Sequence, residues 1–343
     1  MRMGTSRQSG FILVVTLWML AVITIGAAYF ADRVATSVSL AARSQETTEA
    51  LIELASTRAE ILFRLGTVRV SNFGLGQTAQ DAIALDNRPY RGSGQDIVRL
   101  QDSRGLINVN FVDATMLRRL LGQLGIPAEN REALLDTLND YTDTDDLRRL
   151  NGAESAEYRT RNLPPPPNDW LITPWQLQNI IGWREQPALW KGEKLQDVVT
   201  TARVLGFNPN TAPRDALAAF PGSSPELADK IIERRTLSPF NDVAELSALT
   251  GQTVIEPDNV VFFPGENIRL TLESDKIPWA LRYQITLTPF GDSVPWRVDY
   301  YLKSGLTHSP PSANNPAIAN SPNIQPAPLP KRATLPPTPN PTL

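Results

Sequence analysis

An uninterrupted apolar run over residues 11–31 (FILVVTLWMLAVITIGAAYFA) constrains this chain more than any other feature. It carries no charge until Asp32. A bilayer core of about 30 Å needs roughly 20 helical residues, so a run of this length can cross it once. Arg2 and Arg7 precede the run. The positive-inside rule then puts the N-terminus in the cytoplasm and the rest of the chain on the far side of the membrane. The apolar segment is too long for an ordinary secretory signal, and no small-x-small cleavage motif follows it.

The junction Gly10-Phe11 lies ahead of the apolar run, so cleavage there leaves the helix on the mature protein. A short basic peptide, a glycine, a phenylalanine and then an apolar helix resemble a type IV prepilin leader. That resemblance implies cleavage after Gly10 by prepilin peptidase and methylation of Phe11. A plain signal anchor is the alternative. Most pilins place Glu at the fifth mature position, where this chain has Val15. A carboxylate in a bilayer costs on the order of 2.5–3.5 kcal/mol, and pilins offset it with the terminal ammonium of a neighbouring subunit. A subunit with nothing ahead of it has no ammonium to neutralise. Val15 therefore points to the first subunit of a filament.

Hydrophobic residues make up 41% of the 343, enough to fill a core, and length alone allows two or three domains. The net charge of −3 predicts no general affinity for nucleic acid or anionic lipid. There is no cysteine, which removes disulfides, thiol nucleophiles and thiolate metal sites. The one histidine, His308, borders a proline-rich tail, which removes Ser-His-Asp chemistry and most zinc sites. No enzyme activity is expected.

Helical spacing continues past the membrane: residues 32–65 contain no Gly or Pro, and Leu51, Leu54, Ala55, Ile61, Leu62 and Leu65 form an apolar stripe. One helix over 11–65, ended by Gly66, is expected. Residues 67–105 read as loops and short strands, with alternation in TVRVSNF and IVRLQDS around an irregular stretch holding Gly74, Gly76, Pro89, Gly92 and Gly94. Residues 106–254 read as helical. Residues 268–302 read as strands, with Gly291-Asp292 a turn. The expected architecture is α+β: a body over 66–105 and 255–305 sharing one antiparallel sheet, with a large all-α domain inserted at 106–254. Residues 306–343 should be disordered, since eleven prolines among Ser, Asn, Ala and Thr from 308 onward leave little to bury.

The inserted block holds a weak repeat. INVNFVDATMLRRL at 107–120 aligns with FNPNTAPRDALAAF at 207–220. Each begins Asn-x-Asn and runs into a short amphipathic helix, with Asp113 and Pro213 at the helix starts. The Asn side chains should satisfy backbone groups in the preceding turn. After the second copy, FPGSSPELADKIIERR resembles a helix-hairpin-helix, with Ala228, Ile231 and Ile232 on one face. LGIPAENREALLDTL follows the first copy more loosely. Such modules bind DNA phosphates through turn N–H groups, for which Arg234 and Arg235 are the nearby basic pair, or serve as compact structural units. An acidic, exported chain favours the structural role, and no nucleic acid partner is expected.

The main chemical cluster is NDYTDTDDLRRLNGAESAEY at 139–158. Asp140, Asp143, Asp145 and Asp146 fall close together, followed by Asn151, Glu154 and Glu157. Carboxylates so close repel unless a cation lies among them. Hard oxygen donors without His or Cys point to calcium, although the spacing is not that of an EF-hand. A solvated acidic loop countered by Arg148 and Arg149 is the alternative. Catalytic carboxylates are a further one, weakened by the lack of surrounding aromatic residues.

Together, the leader with Gly10-Phe11 and no acid at the fifth mature position, DYTDTDD…NGAE at 140–154, and NPNTAPRDALAAFPG at 208–222 resemble the type II secretion minor pseudopilin K (GspK) family over about residues 1–305. The resemblance implies a pilin-like α+β fold with a helix-hairpin-helix or SAM-like insert. It implies calcium held by Asp140, Asp143, Asp145, Asp146 and Glu154. It also implies a single-pass inner-membrane protein, mostly periplasmic, that joins minor pseudopilins I and J at a tip complex, starts pseudopilus assembly and supports export across the outer membrane. Family members usually carry Trp where Tyr141 stands. The first Asn-x-Asn copy lacks the Thr-Ala-Pro ending, and the family does not require the proline-rich tail. The alternative reading is a membrane-anchored, DNA-binding minor pilin of a type IV pilus or competence system, using 217–235.

Overall fold

The computed structural model describes residues 9–92, 96–251, 257–291 and 294–305. Most of the leader reading and the whole tail from 306 lie outside the described residues. The chain divides into two compact units, residues 1–52 and 53–343.

In the first unit, the described residues are helical throughout and belong to α1, Ser9–Thr67. Its apolar side chains, including Phe11, Trp18, Leu20 and Phe30, are exposed. By length and composition, α1 is the one helix among the described residues able to cross a membrane.

In the second unit, α1 ends at Thr67, just beyond the expected stop at Gly66. Gly66 serves close approach instead: a Cβ there would lie 2.8 Å from Pro295 Cγ. The expected strand in TVRVSNF shrinks to a two-residue hairpin arm, β1 (Val70–Ser71), paired with β2 (Gly74–Leu75). The stretch read as irregular contains a true strand, β3 (Asp86–Arg91), which pairs with β4 (Ile97–Asp102) through a register shift between Asp86 and Pro89. Pro89 cannot donate to a ladder, and β3 is accordingly an edge strand.

After β4 the chain leaves the sheet. It forms β5 (Ile107–Asn108), α2 (Ala114–Gln123), α3 (Ala128–Thr142), α4 (Ser155–Thr160), α5 (Pro187–Trp190), α6 (Lys194–Val198), β6 (Val199–Thr200), α7 (Arg214–Ala219), α8 (Pro225–Leu237) and α9 (Val243–Thr250). It returns as β7 (Asn267–Glu273), β8 (Ala280–Leu287) and β9 (Trp296–Ser304). The sheet order is β3-β4-β7-β8-β9, antiparallel throughout, so β4 and β7 are neighbours across the whole excursion. The class is α+β. Of the expected Gly291-Asp292 turn, only Gly291 is described, its N–H donating to Thr288 O at 2.8 Å.

The sheet has two unlike faces. Val98, Leu100, Leu270, Leu272, Leu281, Tyr283 and Ile285 share one face by strand alternation and cross-strand register. The end of α1 lies on it: Leu54 and Ile61 are fully buried, and the Arg58 guanidinium sits over the Tyr283 ring. The opposite face carries Arg99, Gln101, Arg269, Thr271, Glu273, Arg282 and Gln284, all buried. A buried polar face needs hydrogen-bond partners. Arg269 donates to Gln196 O (2.8 Å) within α6 and to Val199 O (2.5 Å) just past it. Arg282 bonds Asp197 at 2.7 Å, and Arg99 pairs with Glu273 at 3.2 Å. The excursion between β4 and β7 thus meets the sheet through cations and amides, while its own core of buried side chains runs from Ile107 to Phe262.

Candidate functional site

The acidic segment begins on the last turn of α3. Leu134, Leu135, Leu138 and Tyr141 bury one side of that helix, and Trp183 Nε1 donates to Leu134 O at 2.9 Å. The same phase carries Asp140 inward, where it is fully buried. Past Thr142 the chain loops out and turns back at Gly152. A Cβ on Gly152 would stand 1.9 Å from Asp140 Oδ2, so only glycine lets the loop close over this carboxylate.

The structure places Asp140 and Asp143 on one arginine and Asp145 and Asp146 on one asparagine, and all four act electrostatically on Glu154. Arg149 lies between two of them, its Nη1 donating to Asp140 Oδ1 (2.7 Å) and Asp143 Oδ2 (2.5 Å), and its N–H to Asp140 Oδ2 (3.1 Å). Asp145 Oδ1 accepts from the Leu147 N–H at 2.8 Å. Asn168 Nδ2 donates to Asp145 O (3.0 Å) and Asp146 Oδ1 (3.2 Å). Glu154 is 4% exposed, and neither of its carboxylate oxygens has a hydrogen-bond partner. Its carboxyl is pushed up to about 7, first by burial and then by Asp140, Asp143, Asp146 and Asp145. Asn151 turns away to Asp136, with both its N–H and Nδ2 at 3.1 Å from Asp136 Oδ2. Arg148 pairs with Glu157 at 3.1 Å.

Among the described residues, no three or more His, Cys, Asp or Glu side chains stand in metal-holding geometry. The donor chemistry nonetheless fits a hard cation. Asp143 Oδ1, both Glu154 oxygens and Asn168 Oδ1 are buried and unpaired. Four oxygen acceptors with nothing to accept from carry an unmet desolvation cost that a divalent cation with oxygen ligands would remove. The Arg149 guanidinium neutralises the other side of the cluster. Sequence reasoning missed Asn168. It follows four prolines (Pro164–Pro167) far from the acids, and its signal is conformational, a left-handed φ of 49°.

The two Asn-x-Asn copies are used alike. Asn108 Oδ1 accepts from the Asn110 N–H (2.9 Å), as Asn208 Oδ1 does from the Asn210 N–H (3.0 Å). Asn110 Nδ2 donates to Leu171 O and Thr201 O, and its Oδ1 accepts from the Leu171 N–H. Asn210 Nδ2 donates to Phe240 O and Phe262 O, and its Oδ1 accepts from the Phe240 N–H. Asp113 caps α2, with its carboxylate on the Thr115 and Met116 N–H groups. In the second helix-hairpin-helix, Ala228 and Ile231 are buried. Of its two arginines, Arg235 points inward and Arg234 is partly exposed. The Arg235 side chain is 6% exposed, donates to Pro209 O and Ala212 O, and lies 3.7 Å from Asp86. Arg234 donates to Ser238 O and covers the Phe240 ring. Both cations are engaged by groups of the fold, Arg235 in the interior and Arg234 at the surface.

Residues 95–214 match the sequence model of the type II secretion system (T2SS), protein K. No curated protein sequence matches the chain closely enough to count as a relative. A chain of the solved GspK–GspI–GspJ complex from the enterotoxigenic Escherichia coli type 2 secretion system is similar in fold, with a TM-score of 0.54 at 17% identity. The similarity covers 77% of this chain and 98% of that one. The matched sequence signature spans β4, the acidic segment and the second Asn-x-Asn copy, so this part of the chain resembles type II secretion system protein K, and the fold is similar to that of a chain of the GspK–GspI–GspJ complex.

Proposed function

We propose that this chain is the foremost subunit of a secretion pseudopilus, a non-enzymatic minor pseudopilin that starts filament assembly from the inner membrane and so supports export across the outer membrane. The observation that carries this reading is Val15. No acid or base occurs from Phe11 to Ala31, so the apolar part of α1 asks for no compensating ammonium from a subunit above it. Prepilin peptidase would cut after Gly10 and leave Phe11 as the methylated first residue. The helical excursion between β4 and β7 adds bulk that a shaft subunit has no use for. The complex containing GspK, GspI and GspJ supports assembly with the corresponding minor pseudopilins I and J.

Calcium belongs to this reading as a structural ion. Asp140, Asp143, Asp145, Asp146 and Glu154, with Asn168, would hold it through oxygen. With no cysteine in the chain, the ion would fix the acidic loop where another exported protein could use a disulfide. The experiment for the foremost position is gold labelling of an epitope-tagged chain on sheared pseudopili. Label at one end of each filament is the expected result. Label spread along the shaft sinks the reading, as does failure to co-purify with any other pseudopilin.

A further inference from the structure

Asp102 is the last residue of β4, where the chain leaves the sheet. Its carboxylate is fully buried and accepts four hydrogen bonds, none from a cation. The two oxygens divide the work. Oδ1 accepts from the Arg104 N–H at 3.1 Å and the Gly265 N–H at 3.0 Å. Arg104 lies on the outgoing linker and Gly265 on the returning one. Oδ2 accepts from Asn208 Nδ2 at 3.0 Å and Thr211 Oγ1 at 2.9 Å. Both of these belong to the turn of the second Asn-x-Asn copy. One oxygen therefore ties the two linkers together, and the other ties that pair to the helical excursion.

Other contacts converge on the same point. The Asn208 N–H donates to Arg104 O at 2.9 Å, Gln101 Nε2 to Thr211 O at 2.9 Å, and Arg104 Nη1 to Phe263 O at 3.3 Å. The backbones approach so closely that a Cβ on Gly105 would lie 2.7 Å from the Thr211 carbonyl carbon. Apolar burial holds each side separately: the excursion has its own core from Ile107 to Phe262, and the sheet has its α1-facing core.

We propose that Asp102 is the positioning residue that seats residues 103–266 on the sheet, through one carboxylate shared between both linkers and the Asn208–Thr211 turn. Asn at this position keeps the shape but turns one acceptor into an N–H₂ group facing donors, so either the linkers or the turn lose their partner.

The test is hydrogen exchange by mass spectrometry on the full chain in detergent micelles, comparing wild type with Asp102→Asn. Amides in 103–109, 207–212 and 257–265 should exchange at least about tenfold faster, because the joint opens locally. Amides in 117–121, 134–138 and 268–272 should keep their protection. Acceleration of the two cores by the same factor as the joint overturns the proposal, since Asp102 then only stabilises one cooperative body. An unchanged joint overturns it as well. Thr211→Val, nearly isosteric, removes a single bond to Oδ2. It should give the same pattern at smaller amplitude, and it carries the test if Asp102→Asn does not fold.

Discussion

Gly152 and Asp140 are in van der Waals contact without room for one further carbon: a Cβ at 152 would overlap Asp140 Oδ2 at 1.9 Å. The loop between them holds Asp143, Asp145 and Asp146, so this contact closes the base of the acidic loop.

Gly152→Ala should therefore force the loop open. Asp140 is fully buried and cannot swing aside without leaving its bonds to Arg149. Overpacking of this kind costs about 1–3 kcal/mol. Chemical denaturation of the full chain in detergent should read a loss in that range, with any stabilisation by calcium diminished. An unchanged midpoint would show that the loop relaxes freely.

Glu154 gives a pH dependence of definite sign. Its carboxyl stands at about 7 in the fold against an ordinary 4.5. The folded state thus holds the proton more tightly than the unfolded chain, and stability is present below pH 4.5 and lost as pH rises towards 7. At about 1.4 kcal/mol per pKa unit, this weighs on the order of 3 kcal/mol. Calcium requires the ionised form, so it should raise the melting temperature at pH 7.5 and far less at pH 5. Thermal melts at both pH values, with calcium or with EDTA, check this. Equal responses at both would argue against Glu154 as a ligand.

Glu154→Gln removes the buried charge but not the side-chain volume. Without calcium, the variant should be more stable than wild type at pH 7.5 and flat between pH 4.5 and 7. If the proposed site holds calcium, isothermal titration should find the affinity of this variant at least about tenfold weaker, since the site loses a charged oxygen donor. Wild-type affinity in this variant would move the metal away from Glu154.

Asn110 and Asn210 make matching sets of bonds to chain segments far away in sequence. Alanine at either position leaves buried backbone groups unpaired, at about 1–3 kcal/mol each. Asn110→Ala and Asn210→Ala should destabilise the chain by similar amounts, within about 1 kcal/mol. A tolerated change at one position and collapse at the other would mean that the two copies no longer share a structural role.

Much of this was legible before the fold was known. The run at 11–31 could only be a lipid-length helix, and the alternation in IRLTLE and ALRYQITL marked β7 and β8. Asn-x-Asn followed by a helix start located both helical hairpins. Alternation, however, reports only that every second residue is polar. It does not distinguish a wet face from one covered by another part of the chain, so the burial of Arg269 and Arg282 could not be read from it. β3 escaped notice because Asn87 adopts a left-handed φ of 67° and Pro89 breaks the ladder, so its strand conformation is imposed by β4. At the acidic site, the five carboxylates could be grouped by sequence proximity. Asn168 could not, because only the turn after Pro164–Pro167 carries it there. Arg149 entered as a counter-ion in the alternative reading and does occupy that place.

The adjacency of β4 and β7 sets an order of events during synthesis. When β4 leaves the ribosome, the strand that will lie beside it has not been translated, and the whole excursion through residue 266 must emerge first. Pairing so distant in sequence is slow, whereas the helical hairpins close over short separations. The excursion should therefore acquire protease resistance on stalled nascent chains before the sheet exists, and β7 should zip against a β4 whose far end is already held in place.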